Sequence, residues 1–177
     1  MDKTADPLPY GPATETLSAA QPDWTRERRA GWNPGKSLLA SLRDYQRSCE
    51  RGWKVGARWA VLRHRFWSAV SGADIPLNCK IGGGLLIPHP NGVVIHPDAV
   101  IGPNCLLFQQ VTVGYARGGV PTLGGHVDVG AGAKLIGPIT IGDHAQIGAN
   151  AVVTRDVPAG ATAIGVPARI TDAPGRE

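Results

Sequence analysis

Aliphatic side chains recur at every sixth position over most of this chain, a period that fits neither an α-helix nor a simple strand meander. The repeat is most regular in the second half, at Val129, Leu135, Ile141, Ile147, Val153 and Ala159. It begins earlier at Ile75, Ile81, Ile87 and Val93, slips by two residues, and resumes at Ile95, Ile101, Leu107 and Val113. Self-similarity this short predicts a solenoid of stacked parallel coils whose aliphatic side chains point inward.

Three six-residue repeats per coil predict a mainly β fold, a left-handed parallel β-helix over residues 73–170. Val129 should then lie beside Ile147, and Leu135 beside Val153, one coil further on. The repeat is interrupted again between residues 114 and 128, which predicts a protruding loop. Loops that project from a rigid frame often carry function.

Before the repeats, residues 36–72 predict a helical hairpin, with Ser37 as a cap of the first helix and Gly52 as its end. That first helix carries Leu38, Leu42, Tyr45 and Cys49 at helical spacing. The second helix, 55–70, has one apolar face: Val55, Trp59, Leu62, Phe66 and Val70. We favour packing of this hairpin on the first coil; the alternative is an amphipathic helix lying on a membrane surface.

The two ends of the chain show no periodicity. Residues 1–35 are rich in proline, threonine and charge, which predicts a flexible or wrapping arm. Trp24 or Trp32 offers a way for this arm to dock on a neighbouring subunit. Residues 171–177 predict a frayed tail.

The net charge of +4 is unevenly distributed, since residues 1–70 hold twelve Lys/Arg against seven Asp/Glu. A nucleic-acid binder would place its basic surface on the folded repeats, so we expect no nucleic-acid partner. The three cysteines, Cys49, Cys79 and Cys105, have neither zinc-finger spacing nor an even count, and we expect buried thiols at the last two. No apolar leader is visible at the N-terminus, so a cytoplasmic location is the expectation.

The stretch from Ser71 to Ile170 resembles the hexapeptide-repeat acyltransferases and, within them, the serine acetyltransferases. The most specific segments are ADIPLNCKIGGGLLIPHPNGVVI, FQQVTVG, VGAGAKLIGPITIGDHAQIGANAVVTRDVP and GVPARI. The resemblance implies direct acetyl transfer from acetyl-CoA to an acceptor hydroxyl, with acetyl-CoA as co-substrate and no metal. It also implies a homotrimer with active sites between subunits.

The resemblance assigns His89, in the turn PHPNG, as the general base, with Asp74 fifteen residues earlier to orient it. Histidine suits the role because its ordinary pKa is near neutrality. An uninterrupted eighteen-residue coil would place Gly92 beside Asp74, and His89 within side-chain reach of it. Backbone N–H groups of Gly114 and Tyr115 are the oxyanion candidates. Ala131 and Ala149 match positions where CoA approaches closely, and Lys134 and Arg169 are candidate phosphate partners.

The sequence departs from the serine acetyltransferase pattern at the positions that contact the amino-acid substrate in that family. Pro88 replaces the aspartate before the catalytic histidine, and Gly119-Val120 replaces an Arg-His pair in the protruding loop. Arg117 and His126 are the candidates to take over substrate contacts from this loop. These departures weaken the case for serine itself. The overall resemblance still makes serine or a serine-like small molecule the expected acceptor, with a sugar hydroxyl as the alternative. A catalytically inactive scaffold, or a zinc-dependent β-helix enzyme, are further alternatives.

Overall fold

The computed structural model describes residues 17–29 and 31–171, and it is mainly β with two helices on the N-terminal side. A 3-10 helix, Trp24–Glu27, precedes α1 (Pro34–Glu50) and α2 (Lys54–Ser71). The short strands that follow are β1 Lys80–Ile81, β2 Val94–Ile95, β3 Val100–Ile101, β4 Leu106–Leu107, β5 Thr112–Gly114, β6 Thr122–Leu123, β7 Asp128–Val129, β8 Lys134–Ile136, β9 Thr140–Ile141, β10 Gln146–Ile147, β11 Val152–Val153, β12 Thr162–Ile164 and β13 Arg169–Thr171. The predicted left-handed parallel β-helix, preceded by a short helical segment, is confirmed.

The strands form three parallel faces that run along a solenoid of about five coils. Face I contains β1, β3, β6 and β9; face II contains β4, β7, β10 and β12; face III contains β2, β5, β8 and β11. In the second half the coils repeat as predicted, because Val129 pairs with Ile147 and Leu135 with Val153. Strand β13 adds to face II in the antiparallel direction, next to β12.

Three edges join these faces. The arm edge joins face I to face II, the His89 edge joins face II to face III, and the loop edge joins face III to face I. The arm edge is 82–85, 102–105, 124–127, 142–145 and 158–161. The His89 edge is 88–92, 108–111, 130–133 and 148–151. The loop edge is 96–99, 115–121, 137–139 and 154–156.

Two edges contain extra residues. In the first coil Asp74 pairs with Val94, twenty residues later, and the added two residues fall in the 88–92 corner. At the loop edge Thr112 pairs with Lys134, so four residues are added between β5 and β6. The rest of the range predicted as a protruding loop, 114–128, is regular solenoid that contains β6. The projecting part is therefore much shorter than the predicted loop.

The core is a column of small and medium aliphatic side chains inside the coils, and its largest fully buried members include Ile95, Ile101, Leu107, Leu135 and Ile141. Cys79 and Cys105 lie in this column, as expected, and burial raises the pKa of each thiol to about 11. Both thiols are therefore protonated and unreactive at neutral pH. Cys49, in contrast, is exposed on α1.

Helix α1 packs on the first coil through Leu38, Leu39 and Leu42, which join the solenoid core. It begins earlier than predicted, because the side chain of Asn33, not Ser37, accepts the Lys36 N–H at 2.9 Å. Pro34 then occupies the first helical position. The missing N–H of proline removes no hydrogen bond there, because the first N–H groups of a helix have no partner within the helix.

Helix α2 forms the predicted hairpin with α1, but through the face opposite to the predicted one. Its buried residues are Gly56, Ala60, His64 and Ser71. The His64 imidazole links both neighbours, with Nε2 2.8 Å from the Ile75 carbonyl oxygen and Nδ1 3.0 Å from Ser41 Oγ. Small residues and one bridging histidine bring the helices together, so the large apolar side chains face outward. The hairpin packs on the first coil, as we favoured, through α1 and His64, but the apolar face of α2 takes no part in this contact.

The N-terminal segment wraps along the arm edge of its own solenoid. Asn104 holds it, since its amide donates to the Ser18 and Gln21 carbonyls at 2.8 Å and accepts the Asp23 N–H at 2.7 Å. Trp24 lies against Gly83 of the same chain, and a Cβ at Gly83 would collide with its ring. Residues 1–16 of the predicted arm, and 172–177 of the predicted tail, lie outside the described residues.

Candidate active site

The His89 edge is a stack of corners from successive coils, and backbone hydrogen bonds keep them in register. The Gly92 N–H donates to the Gly72 carbonyl at 2.7 Å, and the Gln110 N–H donates to the Asn91 carbonyl at 2.9 Å. Gly92 has φ 70°, in the left-handed region that favours glycine, which explains the glycine of the PHPNG turn. The extra two residues of this corner carry His89 outward, where its side chain is exposed.

Asp74 lies at the start of face III in the first coil, next to this corner. Its N–H donates to the Val93 carbonyl at 2.8 Å, and its neighbour in the next coil is Val94. The prediction that Gly92 lies beside Asp74 was wrong by two residues, because the 88–92 corner lengthens the coil. Both side chains are exposed, and among the described hydrogen bonds none joins the Asp74 carboxylate to the His89 imidazole.

The CoA candidates lie along the same edge as His89. Ala131 and Ala149 occupy consecutive corners, since the Asn150 N–H donates to the Ala131 carbonyl at 2.8 Å. The Lys134 ammonium reaches back along the edge and donates to the Gln110 carbonyl at 2.6 Å. Lys134 therefore already has a backbone partner within the chain.

Gln109 is a candidate that sequence reasoning missed. It lies in the His89 edge between the corners of His89 and Ala131, because its carbonyl accepts the Gly132 N–H at 2.8 Å. Its side-chain Oε1 is buried and, among the described residues, has no hydrogen-bond partner. Buried polar atoms are nearly always paired, so an unpaired acceptor on this edge makes Gln109 a candidate for a functional contact. The sequence alone does not reveal that the side chain of a glutamine within a repeat is buried and unpaired.

The loop edge carries the oxyanion candidates. Gly114 belongs to the ladder of face III, where it pairs with Ile136 and its carbonyl accepts the Gly137 N–H at 3.1 Å. A residue paired this way in a parallel ladder also directs its own N–H to the neighbouring coil. Tyr115, the first residue beyond the ladder, is therefore the better candidate. Its exposed ring stacks on His96, with 5.9 Å between ring centroids.

Arg117 lies at the tip of a small hairpin in the loop edge. Ala116 and Gly119 exchange two backbone hydrogen bonds of 3.0 Å, which leaves Arg117 and Gly118 as the two turn residues. Both have positive φ, 49° and 84°, as the tightest hairpin turns require. The turn presents the exposed guanidinium of Arg117 to solvent.

Arg169 lines a cavity of about 270 Å³. Arg155, at the loop edge, lines the same cavity, together with Val153, Thr154 and Ala168. Two guanidinium groups around one cavity form a site for an anionic group such as a phosphate. Sequence reasoning identified Arg169 but missed Arg155, because the two residues are fourteen positions apart in the chain.

His126 lies on the arm edge and not in the projecting loop, so its assignment to that loop was wrong. Its Nδ1 is 2.8 Å from Nδ1 of His144, which occupies the same corner one coil further on. Burial lowers the pKa of His126, and the nearby Asp128 acts in the opposite direction. The pair is separated from His89 by the whole of face II.

The His89 edge and the loop edge lie at opposite ends of face III. From the corner residue Gln110 to Tyr115 the chain runs five residues, which is about 16 Å in an extended strand. A general base and an oxyanion donor must both reach one reacting carbonyl, at about 3 Å each. One chain alone therefore does not bring His89 and Tyr115 to the same reaction centre.

No family model matches the chain. The Mycobacterium tuberculosis serine acetyltransferase is 42% identical over 123 residues, which cover 67% of this chain and 54% of that relative. The crystal structure of the Brucella abortus serine acetyltransferase in complex with coenzyme A superimposes with a TM-score of 0.68 at 31% identity. It is matched over 80% of this chain and 57% of its own. The chain is a hexapeptide-repeat protein of the serine acetyltransferase-like family.

This serine acetyltransferase-like chain spans about half the length of the curated relatives it matches, 43% and 54% for the first two. The Neisseria gonorrhoeae serine acetyltransferase in complex with serine is a further structural neighbour, with 36% identity and a TM-score of 0.66. The match covers 78% of this chain and 57% of the Neisseria chain. The resemblance inferred from the sequence motifs is thus confirmed by both sequence and structure.

Proposed function

We propose that this chain is an acetyl-CoA-dependent O-acetyltransferase that acts on the hydroxyl of serine or a serine-like small acceptor. The observation that carries the proposal is the His89 edge, where the exposed His89 shares one line of corners with Ala131 and Ala149. Relatives crystallised with coenzyme A and with serine support the two substrates.

His89 acts as the general base in this proposal. Its imidazole takes the proton of the acceptor hydroxyl as the oxygen attacks the thioester carbonyl carbon of acetyl-CoA. The carbonyl becomes a tetrahedral oxyanion, which accepts a hydrogen bond from the Tyr115 N–H of a neighbouring subunit. Collapse of the oxyanion breaks the C–S bond, and the imidazolium returns the proton to the CoA thiolate. The products are an O-acetyl ester and free CoA.

Asp74 supports His89 electrostatically in this proposal. Its exposed carboxylate lies next to the His89 corner and carries a negative charge that favours the imidazolium formed during the reaction. Because no hydrogen bond joins the two side chains among the described residues, we assign Asp74 a smaller effect than a direct orienting partner would have.

The pantetheine arm of CoA runs along the His89 edge. From the corner of His89 to that of Ala149 there are three coil steps, about 14 Å at the spacing of adjacent strands. Alanine and glycine at these corners let the arm approach the backbone. Arg155 and Arg169 bind a phosphate group of CoA in their shared cavity.

A homotrimer supplies the missing half of each site. The His89 edge of one protomer faces the loop edge of the next, so that His89 meets a neighbour's Tyr115, Arg117, Arg155 and Arg169. The separation of the two edges across face III supports this arrangement, since neither edge is complete by itself.

Subunit mixing tests the shared site. His89→Ala removes the base, and Tyr115→Pro removes the backbone N–H that stabilises the oxyanion. Each variant alone is expected to be nearly inactive. When the two are co-expressed and purified together, some interfaces combine an intact His89 with an intact Tyr115, and activity should return. If mixed oligomers stay as inactive as the separate variants, each site lies within one chain.

The acceptor is identified by measuring CoA thiol release with acetyl-CoA and a panel of hydroxyl compounds. Turnover with serine or a close analogue supports the proposal, and turnover with sugars alone assigns the chain to sugar O-acetylation. If no acceptor is turned over and calorimetry detects no acetyl-CoA binding, the chain is an inactive scaffold.

A further inference from the structure

Five large apolar side chains form a continuous exposed stripe on α2, which we name the α2 stripe. Its members are Val55, Trp59, Leu62, Phe66 and Val70, each between 41% and 64% exposed. At about 100° per residue they fall within about 80° of one another around the helix. A stripe this long and continuous on a helix is unusual on a surface that faces only water.

The α2 stripe is not a core face that has been left incompletely packed. The opposite side of α2 already makes the contact with α1 and the first coil, through Gly56, Ala60 and His64. His64 hydrogen-bonds both neighbours, which fixes the rotation of the helix about its axis. Turning the stripe inward would break these hydrogen bonds and place two large aromatic rings where glycine and alanine now fit.

The Lys, Arg, Asp and Glu side chains within the α2 segment itself are all of one sign. Residues 51–71 contain five Lys/Arg and no Asp or Glu. Arg63 is paired with Asp44 of α1 at 2.7 Å, whereas Lys54, Arg58 and Arg65 have no acidic partner among the described ion pairs. Arg58 and Arg65 are exposed and flank the stripe on one side, three or four positions from Leu62. Arginine at this boundary can reach a layer of anionic groups while its stem covers apolar surface.

Tryptophan side chains extend the exposed apolar surface beyond the stripe. Trp53 is 61% exposed at the start of α2, and Trp32 is 76% exposed where it contacts Trp67. A cavity of about 510 Å³ adjoins the stripe at Trp59, and Arg47 and Arg51 contribute to its lining. Tryptophan and arginine together are typical of surfaces that sit at the boundary between lipid headgroups and acyl chains.

The positive charge beside the α2 stripe indicates which kind of partner can cover this surface. Two copies of α2 placed face to face would bring Lys54, Arg58 and Arg65 of one copy against the same three cations of the other, at a like-charge cost. An anionic lipid surface instead pairs the cations with phosphate groups and accepts the apolar side chains. Within the described residues no helix is long and apolar enough to cross a membrane, so α2 would lie along the surface.

We propose that α2 binds the surface of an anionic lipid membrane. The α2 stripe enters the headgroup–acyl boundary, and Arg58 and Arg65 contact lipid phosphates. This places the solenoid at a membrane surface whether or not it transfers acetyl groups, so the proposal stands independently of the catalytic one.

Co-sedimentation of the full chain with vesicles tests the proposal. The protein should bind vesicles of phosphatidylcholine mixed with phosphatidylglycerol, should bind phosphatidylcholine alone much more weakly, and should be released by added salt. Phe66→Ser removes an anchor of the stripe, and the double variant Arg58→Gln/Arg65→Gln removes two cations. Each should lower binding to the anionic vesicles about tenfold or more.

Matched controls lie on the solenoid, away from α2. Ile170→Ser removes another exposed apolar side chain, and Lys80→Gln removes another exposed cation, so both should bind vesicles like the wild type. If Phe66→Ser does not fold, the exposed double arginine variant still gives the answer.

Three results would overturn the membrane assignment. The first is no binding to anionic vesicles by the wild-type chain. The second is equal loss of binding in the solenoid controls and the α2 variants. The third is a lower native mass of Phe66→Ser in sedimentation, without vesicle binding by the wild type, which would show that a second copy covers the stripe.

Discussion

Asp74 pairs with Val94 in the adjacent coil, two residues beyond the position that an eighteen-residue coil would place there. The two added residues lie in the corner that carries His89, so they lengthen the coil and push the histidine outward. Among the described residues, the Asp74 carboxylate has no hydrogen bond to the His89 imidazole.

The lack of a hydrogen bond between Asp74 and His89 predicts unequal effects of substitution at the two residues. Asp74→Asn removes the charge but keeps the shape, and it should lower kcat much less than His89→Ala does, with little change in KM. Steady-state kinetics with both substrates makes the comparison. Equal losses in kcat would show that Asp74 contacts His89 directly in the working enzyme.

The paired arginines at the C-terminal cavity predict weakened cofactor binding when either is removed. Arg155→Ala and Arg169→Ala should each raise the KM for acetyl-CoA and leave kcat at saturation nearly unchanged, because they contact a part of CoA remote from the reaction. The difference from wild type should shrink with dephospho-CoA thioesters if the 3′-phosphate is the group they bind. Lys80→Ala, an exposed cation elsewhere, is the control. An unchanged KM in both arginine variants would remove the cavity from the CoA site.

The enclosed ion pair between Glu27 and Arg43 predicts a large stability effect. Their side chains are 8% and 12% exposed and 2.9 Å apart, and Glu27 Oε1 also accepts the Gly84 N–H. Glu27→Gln leaves the Arg43 charge uncompensated, so urea unfolding should show a loss of about 3 kcal/mol. Asp44→Asn breaks a more exposed pair and should cost under about 1 kcal/mol. Similar losses of unfolding free energy in the two variants would show that burial does not make the Glu27–Arg43 pair more important for stability than the exposed pair.

Burial of His64 predicts an acid-sensitive component of stability. Burial lowers the pKa of His64 in the folded chain, below the ordinary value of about 6.5 that applies when unfolded. As the pH falls below that value, the unfolded state takes up a proton that the folded state resists, so stability decreases until the folded pKa is reached. His64→Gln should therefore lose less unfolding free energy than the wild type when the pH is lowered from about 7 to about 5. A wild-type slope in His64→Gln would contradict the assignment.

The solenoid was predictable from the sequence because its signal is local and repeated. Each coil places an aliphatic side chain inward at the same step, so the spacing of Val129 and Ile147 fixes their pairing before any contact is known. The slip near Val93 was visible too, but its effect on Asp74 depends on which corner absorbs the extra residues. Only the coil register shows that.

The orientation of α2 could not be read from its sequence. An apolar face normally packs inward, and here Gly56 and Ala60 pack inward because α1 approaches closely and His64 bridges to Ser41 and Ile75. The docking of the N-terminal segment on the arm edge could not be read from the sequence either. It depends on contacts between distant positions, those of Asn104 with the segment and of Glu27 with Gly84. The candidate site was found only in part: motifs identify His89 and Arg169, whereas Gln109 and Arg155 become candidates through burial and a shared cavity.

The most direct test of the central claim is the rate of CoA thiol release from acetyl-CoA and the best acceptor, measured for His89→Ala against the wild type. The account predicts a loss of about 10²–10⁴-fold in kcat, the usual contribution of a general base, with acetyl-CoA binding by calorimetry retained. A His89→Ala variant that turns over at the wild-type rate would contradict the assigned mechanism.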